Sequence, residues 1–188
     1  MFKQYKLPKE SFIGGWFIPK KICDNLVSYY NEFNSHATPG IIEGEKVDKV
    51  IKDSIDLRIE KNNSDKEIID YNKYLQEVLN LYIKRYPEVN IYEKFCVSGS
   101  NIQKYSKKGG FKPFHFERSS KIVSKRILVF MTYLNDLEKG GTEFKYQKIT
   151  TPSKKGLTLI WPTDFTHVHK SEIVNKEKII ITGWFSII

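Results

Sequence analysis

Hydrophobic and polar positions along the chain follow two different periods, and the change falls near its middle. In the first half, apolar residues recur every three to four positions, which is the spacing of one face of an α-helix. Two such series predict helices, one over residues 20–33 and a longer one that begins near Ile68 and ends before Pro87. Between the two helices we expect a loop over residues 36–44 and a strand over residues 49–59.

The second half is built from short apolar runs that are rich in β-branched and aromatic residues. Turn-forming pairs such as Gly109-Gly110 and Gly140-Gly141 separate these runs. Several short strands in series are typical of a β-sandwich or barrel such as a jelly roll, and a helical layer against one sheet would complete an α+β domain. The predicted strands cover residues 102–105, 125–134, 141–146, 157–161 and 179–188.

Length and composition are those of one globular domain. The 188 residues contain no internal repeat and no Pro/Gly/Ser linker. We expect a single domain over residues 1–188, in which residues 1–97 form mainly helical support and edge strands and residues 98–188 form the jelly-roll core. No apolar run reaches the roughly 18 residues of a membrane span. The absence of a signal peptide and the presence of only two cysteines predict a cytoplasmic protein, in the host cell if a phage encodes it.

The net charge of +9 is distributed unevenly. The chain has 27 lysines but 4 arginines, together with 23 isoleucines, a bias that indicates an AT-rich genome rather than a surface selected to bind phosphate. Residues 99–188 contain 16 basic and 7 acidic residues, so the whole excess lies in the second half. Whatever chemistry that half performs, its positive field favours anionic ligands.

Histidines and a carboxylate in the second half suggest a metal site. Because residues two apart on a strand share a face, His115 and Glu117 would project together. His167 or His169 would complete a set of two imidazoles and one carboxylate, which binds non-haem Fe(II) and leaves open positions on the metal. Taken alone, an H-x-E motif also arises by chance, and a histidine that is only packed or hydrogen-bonded is the competing interpretation.

A lysine near the C-terminus adds to this pattern. Alternation along the last predicted strand places Lys178 on one face with Ile180, Thr182 and Trp184. A cation on an apolar inward face is costly unless it meets an anion. The alternative is a lysine that reaches solvent from the end of the strand.

Over about residues 98–188 the sequence resembles the Fe(II)/2-oxoglutarate-dependent oxygenases, in the prolyl-4-hydroxylase-like branch that includes small phage and bacterial homologues. Both the order and the spacing of the motifs agree with that family. The residues that carry the resemblance are Tyr105, His115-Phe116-Glu117, Tyr133-Leu134-Asn135, Gly140-Gly141-Thr142-Glu143-Phe144, His169, Lys178 and Trp184.

The resemblance implies a double-stranded β-helix fold that uses Fe(II), 2-oxoglutarate and O2, with iron-bound oxygen as the reactive group and no separate protein acid or base. Glu117 stands where the family usually has aspartate, so its carboxylate lies one methylene farther from the backbone. The spacing to Lys178 favours His169 over His167 as the second histidine ligand, and we expect both histidines on one strand face. The implied roles are iron binding by His115, Glu117 and His169; 2-oxoglutarate binding by Lys178, Tyr105 and Tyr133; and lining of the pocket by Thr182, Trp184 and His167.

Three functions follow as hypotheses. The first is a hydroxylase that acts on a C–H bond, with a prolyl residue in a peptide as the first candidate substrate and small molecules as others. The second is a non-catalytic basic jelly-roll module for nucleic acid or another anionic partner, with a phosphate-and-stacking surface over residues 104–114. For that segment we favour a solvated loop or a lid that grips substrate. The third is a cupin-like metalloprotein without 2-oxoglutarate. Nucleic acid is the disfavoured partner, and the sequence predicts no oligomeric state.

Overall fold

The computed structural model describes residues 2–42, 46–92 and 94–188 of the chain. The two α-helices are α1 (Lys20–Glu32) and α2 (Lys66–Arg85). Short 3-10 helices occur at Lys9–Ser11, Asn34–His36, Pro87–Tyr92, Lys121–Val123 and Phe165–His167. The strands are β1 (Lys3–Gln4), β2 (Gly14–Phe17), β3 (Thr38–Pro39), β4 (Ile41–Ile42), β5 (Lys46–Val47), β6 (Lys52–Asp53), β7 (Ile55–Ile59), β8 (Phe95–Tyr105), β9 (Gly110–Phe111), β10 (Arg126–Tyr133), β11 (Thr142–Phe144), β12 (Ile149–Thr150), β13 (Leu157–Pro162), β14 (His169–Ser171) and β15 (Lys178–Ile187).

Both predicted helices are confirmed, and local sequence explains where they begin and end. α1 starts directly after Pro19, whose fixed φ suits a helix start. α2 starts after Asp65, and the Asp65 carboxylate accepts a hydrogen bond of 2.6 Å from the Tyr29 hydroxyl of α1. α2 ends at Arg85, because Pro87 disfavours helical backbone at the residue before it.

Eight strands form one antiparallel sheet in the order β1-β2-β13-β10-β15-β8-β7-β3. The strands predicted over residues 125–134, 157–161 and 179–188 are β10, β13 and β15. The strand predicted over residues 102–105 is only the end of β8. That strand is longer because β15 pairs with it all the way from Tyr105 to Phe95.

Alternate residues of the central strands face opposite sides of this sheet. On β10, Leu128 and Phe130 belong to a hydrophobic cluster that also contains side chains of α1 and α2. Val129 and Tyr133 belong to a second cluster, which contains Phe144 of β11. Both faces of β10 are therefore apolar, which explains why the strand has a continuous apolar sequence rather than an alternating one.

The described residues also form three smaller antiparallel sheets, in the orders β12-β11-β14, β4-β5 and β6-β9. The strand predicted over residues 141–146 is confirmed as the shorter β11. The combination of helices with antiparallel sheets confirms the predicted α+β class. Within the described ranges, no helix has the length and apolar character needed to cross a bilayer.

The region between the two helices differs from the prediction. The single strand expected over residues 49–59 is wrong, because residues 49–51 form a turn and the remainder divides into β6 and β7. β6 pairs with β9, whereas β7 pairs with β8, so the two strands belong to different sheets. The loop expected over residues 36–44 contains the short strands β3 and β4, and its residues 43 and 44 lie outside the described residues.

Candidate functional site

Three side chains with metal-binding atoms converge beside β14. Nε2 of His115 lies 3.5 Å from Oε1 of Glu117, and Nε2 of His169 lies 3.6 Å from the same oxygen. One donor atom from each residue lies within 4.8 Å of the others. In the part of the chain that the structure describes, this is the one such group of histidine, cysteine and acidic side chains.

The backbone that carries His115 and Glu117 is not a regular strand, so the expectation of a shared strand face is wrong. His115 forms an isolated bridge with His169, in which each amide donates to the other carbonyl at 2.9 Å. Glu117 lies two residues farther on in irregular backbone, where its amide donates to the Thr163 carbonyl at 3.0 Å. These bonds bring the segment alongside β14, so the two histidines and the carboxylate meet.

Each histidine of the triad is oriented by a hydrogen bond on the ring nitrogen that faces away from Glu117. Nδ1 of His115 lies 3.1 Å from the Pro113 carbonyl oxygen, and Nδ1 of His169 lies 2.8 Å from the His167 carbonyl oxygen. Because a carbonyl oxygen only accepts, each Nδ1 carries the proton and donates it. In the neutral imidazole each Nε2 would then keep its lone pair, which is the tautomer that a metal ligand needs.

His167 was the alternative second histidine, and its ring points away from the triad. It lies in the 3-10 helix Phe165–His167 rather than on a strand face shared with His169. Its Nε2 donates to the Ser11 carbonyl at 2.9 Å, and its Nδ1 lies 2.9 Å from the Thr166 hydroxyl. The His167 ring is therefore hydrogen-bonded outside the triad, while its backbone carbonyl contacts Nδ1 of His169.

The Glu117 carboxylate has different neighbours at its two oxygens. Oε1 faces the two histidines, whereas Oε2 accepts a hydrogen bond of 3.0 Å from the indole nitrogen of Trp184. The guanidinium of Arg126 stacks on Trp184, 3.5 Å from the ring centre. Burial raises the pKa of Glu117, but its contacts with the two histidines outweigh this effect and hold the pKa well below its usual range. Burial also lowers the pKa of His169, and this effect outweighs the hydrogen bond to Glu117.

Aromatic rings enclose the two histidines. Phe111 of β9 stacks on His115 with 3.6 Å between ring centres and 18° between ring planes. Phe144 lies 5.7 Å from His169, and Trp161 meets His169 edge-on at 5.1 Å. These contacts restrict rotation of both imidazoles.

Lys178, at the start of β15, carries its charge into the interior and does not reach solvent. The residue is 3% exposed, and its Nζ donates to the Gly140 carbonyl at 3.2 Å and to the Ser171 hydroxyl. Its Nζ also lies 5.1 Å from the ring centre of Tyr105. No carboxylate of the described residues forms an ion pair with it. Burial lowers the pKa of Lys178 to about 8, and the charge of Glu172 offsets this only in part.

The Gly140-Gly141 turn places the carbonyl that contacts Lys178. The Glu172 carboxylate accepts hydrogen bonds from the amides of Gly140 at 2.7 Å and Gly141 at 3.2 Å. Gly140 has a φ of +104°, which side chains rarely tolerate. A side chain on Gly141 would overlap the Thr151 carbonyl. Steric constraints therefore explain why glycine occupies both positions, in addition to their match with the family motif.

Both tyrosines expected near the cosubstrate are buried in the cluster that contains Phe144. The Tyr105 hydroxyl donates to the Gln103 side chain at 2.6 Å. The Tyr133 hydroxyl lies 2.8 Å from the Thr142 hydroxyl and 2.9 Å from that of Thr151. Burial raises the pKa of both tyrosines, that of Tyr133 to about 12. Each hydroxyl is therefore neutral and already has a partner within the protein.

The segment over residues 104–114 does not form the exposed stacking surface that the basic-module hypothesis requires. Tyr105 is 4% exposed and Phe111 covers His115, so two of its three aromatic rings face inward. The prediction of a solvated loop is also wrong at Gly110–Phe111, because these residues form β9 and pair with β6.

Several residues at the site were not singled out from the sequence. Ser171 lies two positions after His169 on β14, so strand alternation could have found it. Arg126 begins the strand that ends at Tyr133, but no sequence pattern indicates that it stacks on Trp184.

Thr182 was expected in the pocket, and its hydroxyl donates to the Phe130 carbonyl at 2.9 Å.

Comparisons with known proteins agree with this geometry. Residues 100–186 match the family model of the 2OG-Fe(II) oxygenase superfamily. No match was found among curated protein sequences.

Solved structures of prolyl hydroxylases share the fold at low sequence identity. A prolyl-4-hydroxylase from Pseudomonas putida has a TM-score of 0.71 and 15% identity, over 93% of this chain and 91% of that one. The viral collagen prolyl hydroxylase of Paramecium bursaria Chlorella virus-1, in its 2OG complex, has a TM-score of 0.69 and 17% identity, over 100% and 96%. A Trichoplax adhaerens prolyl hydroxylase in complex with a peptide fragment of hypoxia inducible factor has a TM-score of 0.70 and 15% identity, over 91% and 80%.

The triad and Lys178 all lie within the residues that match the family model. The implied cofactor and cosubstrates are those of that family, Fe(II), 2-oxoglutarate and O2. Residues 100–186 therefore match the 2OG-Fe(II) oxygenase superfamily model, and the chain has the fold of the prolyl 4-hydroxylases.

Proposed function

We propose that this protein uses Fe(II) and 2-oxoglutarate to hydroxylate a C–H bond, and that its substrate is a prolyl residue in a peptide. The observation that carries the proposal is the buried ammonium of Lys178, which lacks a carboxylate partner among the described residues and belongs to the half of the chain that forms the triad. The distal carboxylate of 2-oxoglutarate would supply that partner. The proposed iron ligands are His115, Glu117 and His169, and the proposed 2-oxoglutarate site is Lys178 with Tyr105 and Tyr133.

The triad suits a divalent first-row metal. Ligand atoms about 2.1 Å from a metal, at right angles, lie about 3 Å from one another. The separations of 3.5 and 3.6 Å from Oε1 of Glu117 exceed this by only a few tenths of an ångström. Two neutral imidazoles and one carboxylate also form the donor set of non-haem Fe(II) oxygenases and leave positions open for other ligands.

The side chains of the protein would bind, orient and exclude water. When bound, the iron, 2-oxoglutarate and O2 supply the oxidation, in which 2-oxoglutarate becomes succinate and CO2 and a C–H bond becomes C–OH. Protonated Lys178 would neutralise the distal carboxylate through a charge-assisted hydrogen bond. Phe111 and Phe144 would keep the histidines in place and exclude water from one side of the site. No acid or base of the protein is assigned.

We also propose how the chain supports this site. The strands of the large sheet that face Phe144, together with β11 and β14, would form the double-stranded β-helix core, with α1 and α2 as its helical layer. This assigns residues 98–188 to the catalytic core and residues 1–97 to its support within one domain. A cytoplasmic location stays a prediction, in keeping with the two free thiols of Cys23 and Cys96.

A peptide substrate is supported by two of the structural neighbours. One is named as a collagen prolyl hydroxylase, and another is described in complex with a peptide of hypoxia inducible factor. Their similarity concerns the fold, so free amino acids and other small molecules remain competing substrates to be tested.

The test is an anaerobic titration of the metal-free protein, first with Fe(II) and then with 2-oxoglutarate. The chelate of 2-oxoglutarate on Fe(II) has a weak visible charge-transfer band, and its detection needs no knowledge of the substrate. We expect the band in the wild type and its loss in His169→Ala and Glu117→Ala. His36→Ala is the matched control, because His36 is exposed and lies in the 3-10 helix that follows α1.

The competing hypotheses give different outcomes in the same titration. Metal binding without the band after addition of 2-oxoglutarate would support a cupin-like metalloprotein and overturn the cosubstrate assignment. Failure of the wild type to bind metal would overturn the enzyme hypothesis and favour the hypothesis of a basic binding module. Retention of the band in His169→Ala, with loss in His167→Gln, would reverse the assignment of the two histidines.

A further inference from the structure

The carboxylate of Glu117 is held at one oxygen by groups that do not belong to the triad. Its Oε2 accepts the indole hydrogen bond of Trp184 at 3.0 Å, and Nη1 of Arg126 lies 4.0 Å from the same oxygen. Its Oε1 is the oxygen that lies 3.5 and 3.6 Å from the two imidazole Nε2 atoms. The two oxygens are therefore distinguished by the protein before any metal is bound.

The donor of this hydrogen bond is itself held by a stacked side chain. Trp184 lies on β15, at the irregularity in its pairing with β8 between Gly183 and Phe185. The Arg126 guanidinium lies 3.5 Å from the centre of the indole ring, and its Nη1 also donates to the Glu117 carbonyl at 3.5 Å. Arg126 thus contacts both the ring that donates the hydrogen bond and the backbone of the residue that accepts it.

A glutamate needs such support more than an aspartate does. Its additional side-chain torsion lets the carboxylate rotate and swing, so both oxygens can compete for one metal. A hydrogen bond that occupies Oε2 favours coordination through Oε1 alone and keeps the remaining metal positions open. Partners of this kind, which orient a ligand without touching the metal, typically change metal affinity by about 10- to 100-fold when they are removed.

We propose that Trp184 and Arg126 are positioning residues that hold Glu117 for binding of the metal through a single oxygen. The inference rests on the proposed function, because it takes Glu117 as a metal ligand. Trp184 would act on Glu117 through its N–H group. Arg126 would act through its stacking on the Trp184 ring and through its own contacts with Glu117.

The test measures binding of Co(II) to the metal-free protein by calorimetry and by visible absorption, with no turnover. Trp184→Phe removes the N–H group but keeps an aromatic ring, and we expect about 10-fold weaker binding and a changed Co(II) spectrum. Arg126→Gln should weaken binding by a smaller factor. Because both residues hold the same carboxylate, the double variant should lose less Co(II) affinity than the sum of the two single losses.

Two further variants separate positioning from a general structural effect. Arg85→Gln is the matched control, since Arg85 of α2 also lies over an aromatic ring, 5.5 Å from the centre of Tyr86, and its replacement should leave Co(II) affinity unchanged. Glu117→Asp shortens the side chain by one methylene, so its carboxylate can no longer reach both the triad centre and the indole. In that background, Trp184→Phe should have no further effect on Co(II) binding.

The outcomes of this experiment distinguish the inference from the function on which it rests. Unchanged Co(II) affinity and spectrum in Trp184→Phe would overturn the inference while wild-type metal binding stands. Equal losses from Trp184→Phe in the wild-type and Glu117→Asp backgrounds would also overturn it, because the indole would then act independently of the glutamate. Failure of the wild type to bind Co(II) would overturn the proposed function itself. If Trp184→Phe does not fold, the comparison between Arg126→Gln and Arg85→Gln decides the question.

Discussion

At the scale of single residues, Lys178 shows how the protein keeps an unfavourable group for a ligand. Burial lowers the pKa of this lysine from 10.5 to about 8 in the folded protein. The unfolded chain therefore binds more protons than the folded protein between about pH 8 and pH 10.5, so the free energy of unfolding rises with pH across that interval. At neutral pH the charged lysine costs stability, and the cost is fully present below about pH 8.

Replacing Lys178 by methionine should separate stability from ligand binding. At pH 7 we expect Lys178→Met to raise the free energy of unfolding by about 1 to 3 kcal/mol, because the variant buries no charge. Urea denaturation of the metal-free protein measures this, and the advantage of the variant should shrink as the pH rises from 8 to 10.5. A variant less stable than the wild type at pH 7 would contradict this account of the buried charge.

The same charge makes the affinity for 2-oxoglutarate depend on pH. Since the dicarboxylate needs the protonated lysine, its dissociation constant in the presence of metal should rise above about pH 8, by roughly tenfold per pH unit well beyond that point. Isothermal titration at several pH values measures this, and the binding should take up a proton at the higher values. A dissociation constant that stays flat between pH 7 and pH 9.5 would remove Lys178 from the site.

At the scale of secondary-structure elements, a buried ion pair connects the strands between the helices to Tyr105. Nζ of Lys52, on β6, donates to the Asp56 carboxylate of β7 at 2.6 Å, and both side chains are less than 10% exposed. The Gln103 side chain donates to the same carboxylate at 3.2 Å and accepts from the Tyr105 hydroxyl. The short strand β6 is therefore held to the large sheet by charge, although it pairs only with β9.

Removing one member of this pair should cost far more than replacing both. Lys52→Met leaves the Asp56 charge buried without its cation, as Asp56→Leu leaves that of Lys52 without its anion, and for each single variant we expect a loss of about 3 to 5 kcal/mol in the free energy of unfolding. The double variant Lys52→Met/Asp56→Leu should recover most of that loss, since it buries two apolar side chains instead. Urea unfolding of the four proteins of this cycle gives the coupling. Additive losses in the double variant would contradict a coupled buried pair.

The elements themselves show which signals a sequence contains. Hydrophobic period and composition predict α1, α2, β10 and β15. Each of these elements carries all its buried positions within one continuous segment, so the local pattern is enough to find it. β2 was not predicted, since Gly14-Gly15 has the sequence of a turn. A side chain on Gly14 would overlap the rings of Trp16 and Tyr82, so the glycine reflects close packing that only the assembled fold reveals. Similarly, the first part of β8 depends on pairing with β15 and not on its own pattern.

At the scale of the whole molecule, the site is assembled from segments that are distant in the sequence. Order and spacing predicted that His115, Glu117, His169 and Lys178 belong together, because the family resemblance preserves these features. Local pattern could not predict that His167 turns away, since that depends on a 3-10 helix and on the Ser11 carbonyl. Residues that the order of motifs along the chain identifies were predictable, whereas contacts that depend on a long-range partner were not.

The proposed metal site and the proposed 2-oxoglutarate site should each stabilise the folded protein when occupied. The metal should act first, because 2-oxoglutarate chelates through it. At 100 times its dissociation constant a ligand adds about 2.7 kcal/mol, which for a chain of this length is roughly 5 to 10 °C in Tm. We expect one increase with Mn(II), which replaces Fe(II) without oxidation, and a second with 2-oxoglutarate only when the metal is present. Thermal unfolding followed by circular dichroism measures both steps.

Two variants assign the steps to residues. Lys178→Met should keep the increase with Mn(II) and lose the increase with 2-oxoglutarate, because it retains the three metal ligands but lacks the ammonium. Glu117→Ala should lose both, since 2-oxoglutarate chelates through the metal. An increase with 2-oxoglutarate in the absence of metal, or one that survives in Lys178→Met, would show that the dicarboxylate binds elsewhere on this positively charged half of the chain, where electrostatic attraction alone would fall away with added salt.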